Sequence, residues 1–274
     1  MATQAGRPIA EMAAMIGPTG TLPEATWWAF LAIAPSMLAA WYGLTYKPGK
    51  RLIAMFLAFS AGLLISTLSF DLVEEAAEAS GVTIAMTGFL IGVASYLGVN
   101  ALVEHLGIIR RTSTECGGLG KLTPQQREQR NVSLALVVGA LLDGIPESIG
   151  IGMSFLENNL VPAAFVAAAA IANIPEGLAS GAGLKKSKMK TSTIMSIWAV
   201  VVIACVSSAA IAMATMHNAG HELKSGIMAF AGGGVLAMTL EAVVPEAYSE
   251  THHWVSILGA TGFTIAFYLS HSVL

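Results

Sequence analysis

The sequence has little charge. Asp, Glu, Lys and Arg make up 11% of its 274 residues, against about a quarter in a soluble domain, whereas 55% of the residues are hydrophobic. It has only two cysteines and no C-x-x-C pair, so a disulfide framework and a thiolate zinc or redox site are not expected. It also lacks the G-x-x-x-x-G-K-[ST] loop, which argues against ATP as a driving ligand. These absences, together with long apolar runs, place the chain among integral membrane proteins.

Eight apolar stretches are long enough to cross a bilayer, which takes about 20 residues of helix. Transmembrane strands would be about half as long and would alternate in polarity, so we predict an all-α integral membrane protein. Residues 1–25 are predicted to form an extracytoplasmic tail, and residues 26–274 a single transmembrane domain. The predicted spans are 26–46, 52–73, 83–108, 132–156, 160–184, 192–215, 224–248 and 254–273.

The basic residues predict the orientation. Of the 14 Lys and Arg residues, 12 fall in the loops after spans 1, 3 and 5, and basic loops face the cytoplasm. Eight spans with both termini outside the cytoplasm fit this alternation, although the loop after span 7 carries only His252 and His253. The 12 residues are Lys47, Lys50, Arg51, Arg110, Arg111, Lys121, Arg127, Arg130, Lys185, Lys186, Lys188 and Lys190.

An internal repeat relates the two ends of the chain. AFSAGLLISTLSFDLVEEA (58–76) matches AFAGGGVLAMTLEAVVPEA (229–247) at an offset of 171 residues. With the orientation above, spans 2 and 7 run in opposite directions, as in the inverted repeats of many transporters. We therefore predict an eight-helix bundle with inverted-topology repeats (spans 1–3 and 6–8) around a central helix pair (spans 4–5). The alternative is that Gly/Ala/Leu-rich segments resemble each other by composition alone.

Two stretches in the central pair read almost alike, LDGIPESIGIG (142–152) and IANIPEGLASG (171–181). Each places I-P-E inside an apolar run. A proline within a helix removes a hydrogen bond to the carbonyl four residues back. The carbonyls of Leu142 and Ile171 are therefore predicted to be free to face a cation or a water, although simple kinking is the plainer explanation.

The polar residues of these stretches point to a buried cation site. Asp143 and Glu147 are four residues apart on one helix face, and Asn173 and Glu176 are three apart on the next helix. A carboxylate at this depth costs several kcal/mol unless it is paired, protonated or bound to a cation. Of the Lys and Arg residues, only Lys224 falls within a predicted span, at the first position of 224–248 and far from the I-P-E stretches in sequence. A divalent metal ion or protons remain as the counter-charge; the alternative is a structural cluster of protonated, hydrogen-bonded acids.

Further polar residues extend this pattern towards both membrane surfaces. Asp71 lies at the outer end of span 2, and Glu241 lies in the inner part of span 7. Span 3 adds Asn100, Glu104 and His105 in its inner half. Together they predict an acidic route through the central pair, with Asp71 and Glu241 as additional metal-binding residues.

These residues resemble the ZIP family of divalent metal transporters, in particular its bacterial, GufA-like branch. The resemblance covers about 50–274 and rests on the tandem I-P-E helices, the A-F starts of spans 2 and 7 and the P-E-A end of span 7. It implies that Glu147, Asn173 and Glu176 are metal ligands. It also implies uptake of zinc, iron, manganese or cadmium into the cytoplasm by an elevator-like motion, both termini outside, a homodimer, and a bacterial inner (plasma) membrane.

The chain departs from the family pattern at three positions. Asp143 stands where a histidine is usual, Ala172 precedes Asn173 where His or Gln is usual, and span 6 lacks a glutamate, with Ser207 as the expected replacement. One metal position is therefore expected to be retained and a second weakened. A carboxylate in place of an imidazole favours harder ions, so manganese and iron rank nearer to zinc than in an ordinary member.

We therefore predict a transporter of divalent metal cations. It is not expected to be an enzyme, to use a nucleotide or to bind nucleic acid; its partners are the lipid bilayer and the metal ion. Two other hypotheses remain open. One is a proton-conducting or metal-sensing ZIP-like protein without metal transport. The other is an intramembrane metal-dependent hydrolase, which the absence of H-E-x-x-H disfavours.

Overall fold

The computed structural model describes residues 21–46, 49–105, 123–158 and 163–272. Within these ranges the chain forms eight helical rods and no strand, which confirms the all-α prediction. The rods are α1 (Leu22–Gly43), α2 (Lys50–Ser80), α3 (Val82–His105), α4 (Pro124–Asn158), α5 (Ala163–Lys186), α6 (Thr191–Met216), α7 (His221–Thr251) and α8 (Trp254–Ser272).

Five of the described rods are long and apolar enough to cross a membrane, namely α2, α3, α5, α6 and α7. The chain is accordingly a multi-pass membrane protein. Eight spans arranged as inverted repeats stay a prediction. Residues 1–20 of the predicted tail lie outside the described residues, and so does most of the loop between α3 and α4.

The first rod begins four residues before the predicted span. Pro23 suits the first turn of a helix, where a backbone N–H is not needed. The carboxylate of Glu24 accepts the backbone N–H of Thr21 at 3.2 Å, which satisfies a donor that the helix itself leaves open. Local capping therefore lengthens α1 beyond its apolar run.

Many small side chains lie in the interior, and many large apolar ones face outwards. On α1, Ala29 is fully buried, whereas Leu38 is 68% exposed and Trp41 59% exposed. This distribution is opposite to that of a soluble protein, because lipid solvates large apolar side chains while small ones let helix backbones approach closely. The packing thus agrees with a bilayer environment.

The rods pack in two groups. In the first group, α1 and α6 pack against the pair α4–α5. In the second, α2 packs against α8 and α7 packs against α3. The groups meet where α2 contacts α5 and where α7 contacts α4, so the pair with the I-P-E stretches lies at their junction.

The two longest apolar rods, α2 and α7, each contain a turn of π-helix. The π segments are Leu68–Glu74 and Thr239–Val243, and their first residues are 171 apart, the offset of the sequence repeat. Thr67 and Thr239 donate their hydroxyls to the carbonyls four residues back, at 3.1 and 2.8 Å. Bonds of this kind add a second donor to a helical carbonyl and are often found where a helix bends.

Equivalent glycines let each of these rods approach its neighbour. A Cβ on Gly62 of α2 would collide with the carbonyl oxygen of Gly259 on α8. A Cβ on Gly233 of α7 would likewise collide with the carbonyl oxygen of Phe89 on α3. Gly62 and Gly233 are again 171 residues apart, so the pairs α2–α8 and α7–α3 make the same kind of contact.

Candidate metal-binding site

The helix that carries the first I-P-E stretch starts eight residues before the predicted span. Thr123 and Gln126 form a capping box at its start: each backbone N–H donates to the other's side chain, at 3.2 and 3.3 Å. Pro124 occupies the first helical position, where it removes no helical hydrogen bond. These residues extend α4 into a polar segment that hydropathy alone does not mark as helical.

Both prolines of the I-P-E stretches lie inside continuous helices. Pro146 interrupts the hydrogen bonding of α4, and Pro175 that of α5. The ring of Pro146 lies against Gly234 of α7, where an added Cβ would be 3.2 Å from the ring. The proline turn of α4 is therefore packed at the junction between the two groups of rods.

Glu147 and Asn173 meet at this level. The side chains belong to different helices, and each residue is only 3% exposed. The amide nitrogen Nδ2 of Asn173 lies 3.4 Å from Oε2 of Glu147, which makes a long hydrogen bond. The prediction that the two stretches face each other is confirmed for this pair of residues.

Asn173 also ties α5 to α1. Its Nδ2 donates to the carbonyl of Ala169 at 2.8 Å and lies 3.3 Å from the carbonyl of Ala32. An amide has only two N–H donors, so three acceptors around one nitrogen share them. The contacts with Glu147 and Ala32 are both long, so the bond to the carbonyl of Ala169 is the firmest of the three.

The buried basic residue of α4 is too far away to neutralise Glu147. Arg130 is 2% exposed, but it lies 17 residues before Glu147, about 25 Å along the helix axis. Its guanidinium contacts Ser187 instead. Arg130 therefore does not supply a counter-charge to the carboxylate of Glu147.

Residues of α6 that no sequence pattern singled out pack against the turn before I-P-E. Sγ of Cys205 would be 2.6 Å from a Cβ built on Gly144, and the hydroxyl of Ser208 donates to the carbonyl of Ile145 at 3.4 Å. Ser207, the expected replacement for the family's span 6 glutamate at a second metal position, stays a prediction. Helix geometry places residues 205, 208 and 209 on one face of α6, whereas residue 207 points about half a turn away from residue 205. Gly144, the small residue before I-P-E, was the sequence feature that could have indicated a close helix contact here.

The close contact between α4 and α6 makes Gly144→Ala destabilising. We expect a loss of about 1–3 kcal/mol in the free energy of unfolding, because the new methyl group overlaps the Cys205 thiol. Adding Cys205→Ala should recover most of this loss, since it removes the overlapping sulfur. Thermal unfolding of the two single variants and the double variant measures the coupling; additive effects would show that the two residues do not touch.

Asp71 and Glu241 have their described hydrogen-bond partners outside the central pair. Both lie in π segments; Asp71 accepts a hydrogen bond from the Ser270 hydroxyl of α8, and Glu241 accepts one from Nδ2 of Asn100 of α3 at 3.4 Å. Their described partners thus belong to the second group of rods. The helix also continues for nine residues beyond Asp71, so this residue is not at a helix end.

The remaining site residues are placed less fully. Glu176 lies three residues after Asn173 and is partly buried. The side chain of Asp143 is outside the described part of the structure. Among the described side chains, no three from His, Cys, Asp and Glu converge closely enough to hold a metal ion. The described part of the site therefore consists of the buried carboxylate of Glu147 on α4 and, on one face of α5, the amide of Asn173 and the carboxylate of Glu176.

No family model matches this chain, and no curated protein matches it either. The ZIP resemblance consequently rests on the residues quoted for it.

Proposed function

We propose that this chain transports divalent metal cations across a membrane, with Glu147, Asn173, Glu176 and Asp143 as the substrate site. The observation that carries the proposal is the burial of Glu147 against Asn173, between two proline-interrupted helices of a membrane protein. A carboxylate in a water-poor interior, with its helix's buried arginine about 25 Å away, attracts a cation. The transported metal is the substrate here and not a resident cofactor.

Binding of a cation would change the bonding of Asn173. Its nitrogen is now near Glu147, and an amide nitrogen cannot bind a metal, whereas the amide oxygen can. Turning the amide by half a rotation would present the oxygen beside the carboxylate. It would give up the contact to Glu147 and also the bonds to the carbonyls of Ala169 and Ala32, so ligation of the ion would have to compensate for all three. The amide would thus act as donor to the empty site and as ligand in the loaded one.

The proposed architecture is an eight-helix bundle of two inverted repeats. Three matches at the same offset support it: the repeated sequence, the π segments and the glycine contacts of Gly62 and Gly233. The grouping of α4 and α5 with α1 and α6 supports a motion in which this group carries the site past α2, α3, α7 and α8, as the ZIP resemblance implies. Both termini outside the cytoplasm and a bacterial inner membrane complete the proposal.

Uptake by reconstituted vesicles tests the proposed function. The purified chain is placed in liposomes that contain a metal-sensitive dye, and Zn²⁺, Mn²⁺, Fe²⁺ or Cd²⁺ is added outside, with a pH-sensitive dye in a parallel set. We expect saturable entry of at least one of the cations above protein-free liposomes. Entry of protons alone would instead support a proton-conducting protein, and entry of neither would contradict transport.

The carboxylate at position 143 should broaden metal preference. Asp143→His is expected to raise uptake of Zn²⁺ relative to Mn²⁺ by about tenfold, because imidazole suits zinc while carboxylates suit harder ions. Competition between the two metals in the same vesicles measures the ratio. An unchanged ratio would show that this residue does not contact the ion.

A further inference from the structure

The end of α5 carries a dense group of lysines. Four of the six residues from 185 to 190 are lysines, and all four are exposed. The two residues between them, Ser187 and Met189, are 0% and 4% exposed. The turn therefore buries its non-basic residues and directs its charges to the outside; we call Lys185, Lys186, Lys188 and Lys190 the lysine platform.

A Schellman turn ends the helix at this platform. The backbone N–H of Met189 donates to the carbonyl of Leu184 at 3.2 Å, and that of Lys188 donates to the carbonyl of Lys185 at 3.0 Å. Leu184 and Met189 are both buried in one hydrophobic cluster, as is usual for this motif. The turn is thus built into the core rather than free in solvent.

Lys188 occupies the position at which this turn normally has glycine. Its φ is 61°, in the left-handed region, where a side chain costs conformational energy that glycine avoids. Glycine at this position would end the helix equally well, and the positive charge of the segment could be carried by neighbouring positions instead. A residue kept in an unfavourable backbone conformation points to a role for its side chain.

A buried arginine holds the platform from inside. Nη2 of Arg130 donates to the carbonyl of Ser187 at 3.0 Å, and its Nε lies 3.5 Å from the Ser187 hydroxyl. On the outer side, Nζ of Lys185 donates to the hydroxyl of Thr191 at 2.9 Å, across the turn to α6. The platform is therefore fixed to α4 and α6, two helices of the group that contains the proposed site.

We propose that the lysine platform binds the phosphate-bearing headgroups of anionic phospholipids in the adjoining leaflet. Lysine ammonium groups bind phosphates, and polybasic segments next to a membrane helix are attracted to anionic leaflets. The fixed turn keeps the four charges at the end of the helix that carries Asn173 and Glu176. The inference rests on the proposed function only for its cytoplasmic orientation, which follows from the positive-inside rule.

Lipid binding to variants tests the platform. The purified chain is titrated with phosphatidylglycerol in detergent, without metal, and bound lipid is counted by native mass spectrometry, with phosphatidylcholine as the neutral comparison. Lys188→Gly should weaken phosphatidylglycerol binding about fivefold, the value of one lysine near an anionic surface, while the thermal unfolding midpoint stays the same or rises. Replacing all four lysines by Gln should weaken binding further.

Lys50→Gln is the matched control. Lys50 is an exposed lysine at the start of α2 that lies 3.9 Å from the carboxylate of Glu250, so its charge is partly offset, and its loss should weaken phosphatidylglycerol binding less than Lys188→Gly does. Unchanged binding by the four-lysine variant would overturn the proposal, and so would full displacement of the lipid by millimolar inorganic phosphate, which would indicate a free-anion site. Because lipid binding is measured without metal, a chain that fails to transport cations can still pass this test.

Discussion

Replacing Glu147 by Gln is expected to abolish metal uptake while the protein remains folded. The substitution keeps the shape of the side chain and an oxygen that can accept from Asn173, but it removes the negative charge that would hold a divalent cation. Loss of even an outer partner of a metal site costs about 10–100-fold in affinity, so loss of a buried carboxylate ligand should cost at least about 100-fold in uptake. Initial uptake rates in dye-loaded vesicles measure the effect.

Glu78→Gln provides the control for this experiment. Glu78 is an exposed glutamate in the last turns of α2, so the same change of charge there should leave uptake near the parent value. The unfolding midpoint of Glu147→Gln should not fall, because removal of a buried charge relieves its desolvation. Parent-like uptake by Glu147→Gln would show that the Glu147 carboxylate of the central pair does not bind the transported ion.

Gly177→Ala is expected to cause the largest loss of stability among single-methyl changes in the described helices of the site. Its Cβ would overlap the carbonyl oxygen of Ser36 on α1 and would lie 3.0 Å from the Cβ of Ala39. Helix α1 would have to move away from α5, because the overlapping atom is a backbone oxygen. The expected cost is about 3 kcal/mol, the upper end of the usual range, which outweighs the gain of about 1 kcal/mol in helix propensity. Because Asn173 also contacts the carbonyl of Ala32 on α1, the same movement should reduce uptake.

Gly98→Ala is the control that separates the effect of helix packing from the effect of helix propensity. Gly98 lies inside α3, and a Cβ there meets no atom within 4 Å, so this variant should be as stable as the parent or slightly more stable. Thermal unfolding in the same detergent and vesicle uptake give the two readouts. Equal midpoints for Gly177→Ala and Gly98→Ala would contradict the close approach of α1 and α5.

The helices were largely predictable from the sequence, because apolar runs of about 20 residues have few alternatives in a bilayer. The short connection between the last two rods was also predicted, and the structure places two residues, His252 and His253, between α7 and α8. The helix ends were less predictable. Caps such as Thr123 with Gln126 add helical turns in polar segments that hydropathy excludes.

The contacts between helices were predictable only in part. The repeated I-P-E stretches predicted that the two helices face each other, and Glu147 and Asn173 are in contact. That the two residues share a metal site stays a prediction. The sequence did not indicate that the amide nitrogen of Asn173 would face the carboxylate. Nor did it indicate that Cys205 of α6 would pack beside Gly144.

The sequence by itself determined that this is an all-helical membrane protein with acids in two proline-containing helices, since composition and run length decide which segments enter a bilayer. Only the tertiary structure decided which groups meet: Glu147 with Asn173, Asp71 with Ser270, and Glu241 with Asn100. The physical reason lies in the solvent. Lipid is as apolar as the helix surfaces, so hydrophobicity does not set the rotation and register of the helices, and close packing of small residues with interhelical hydrogen bonds does.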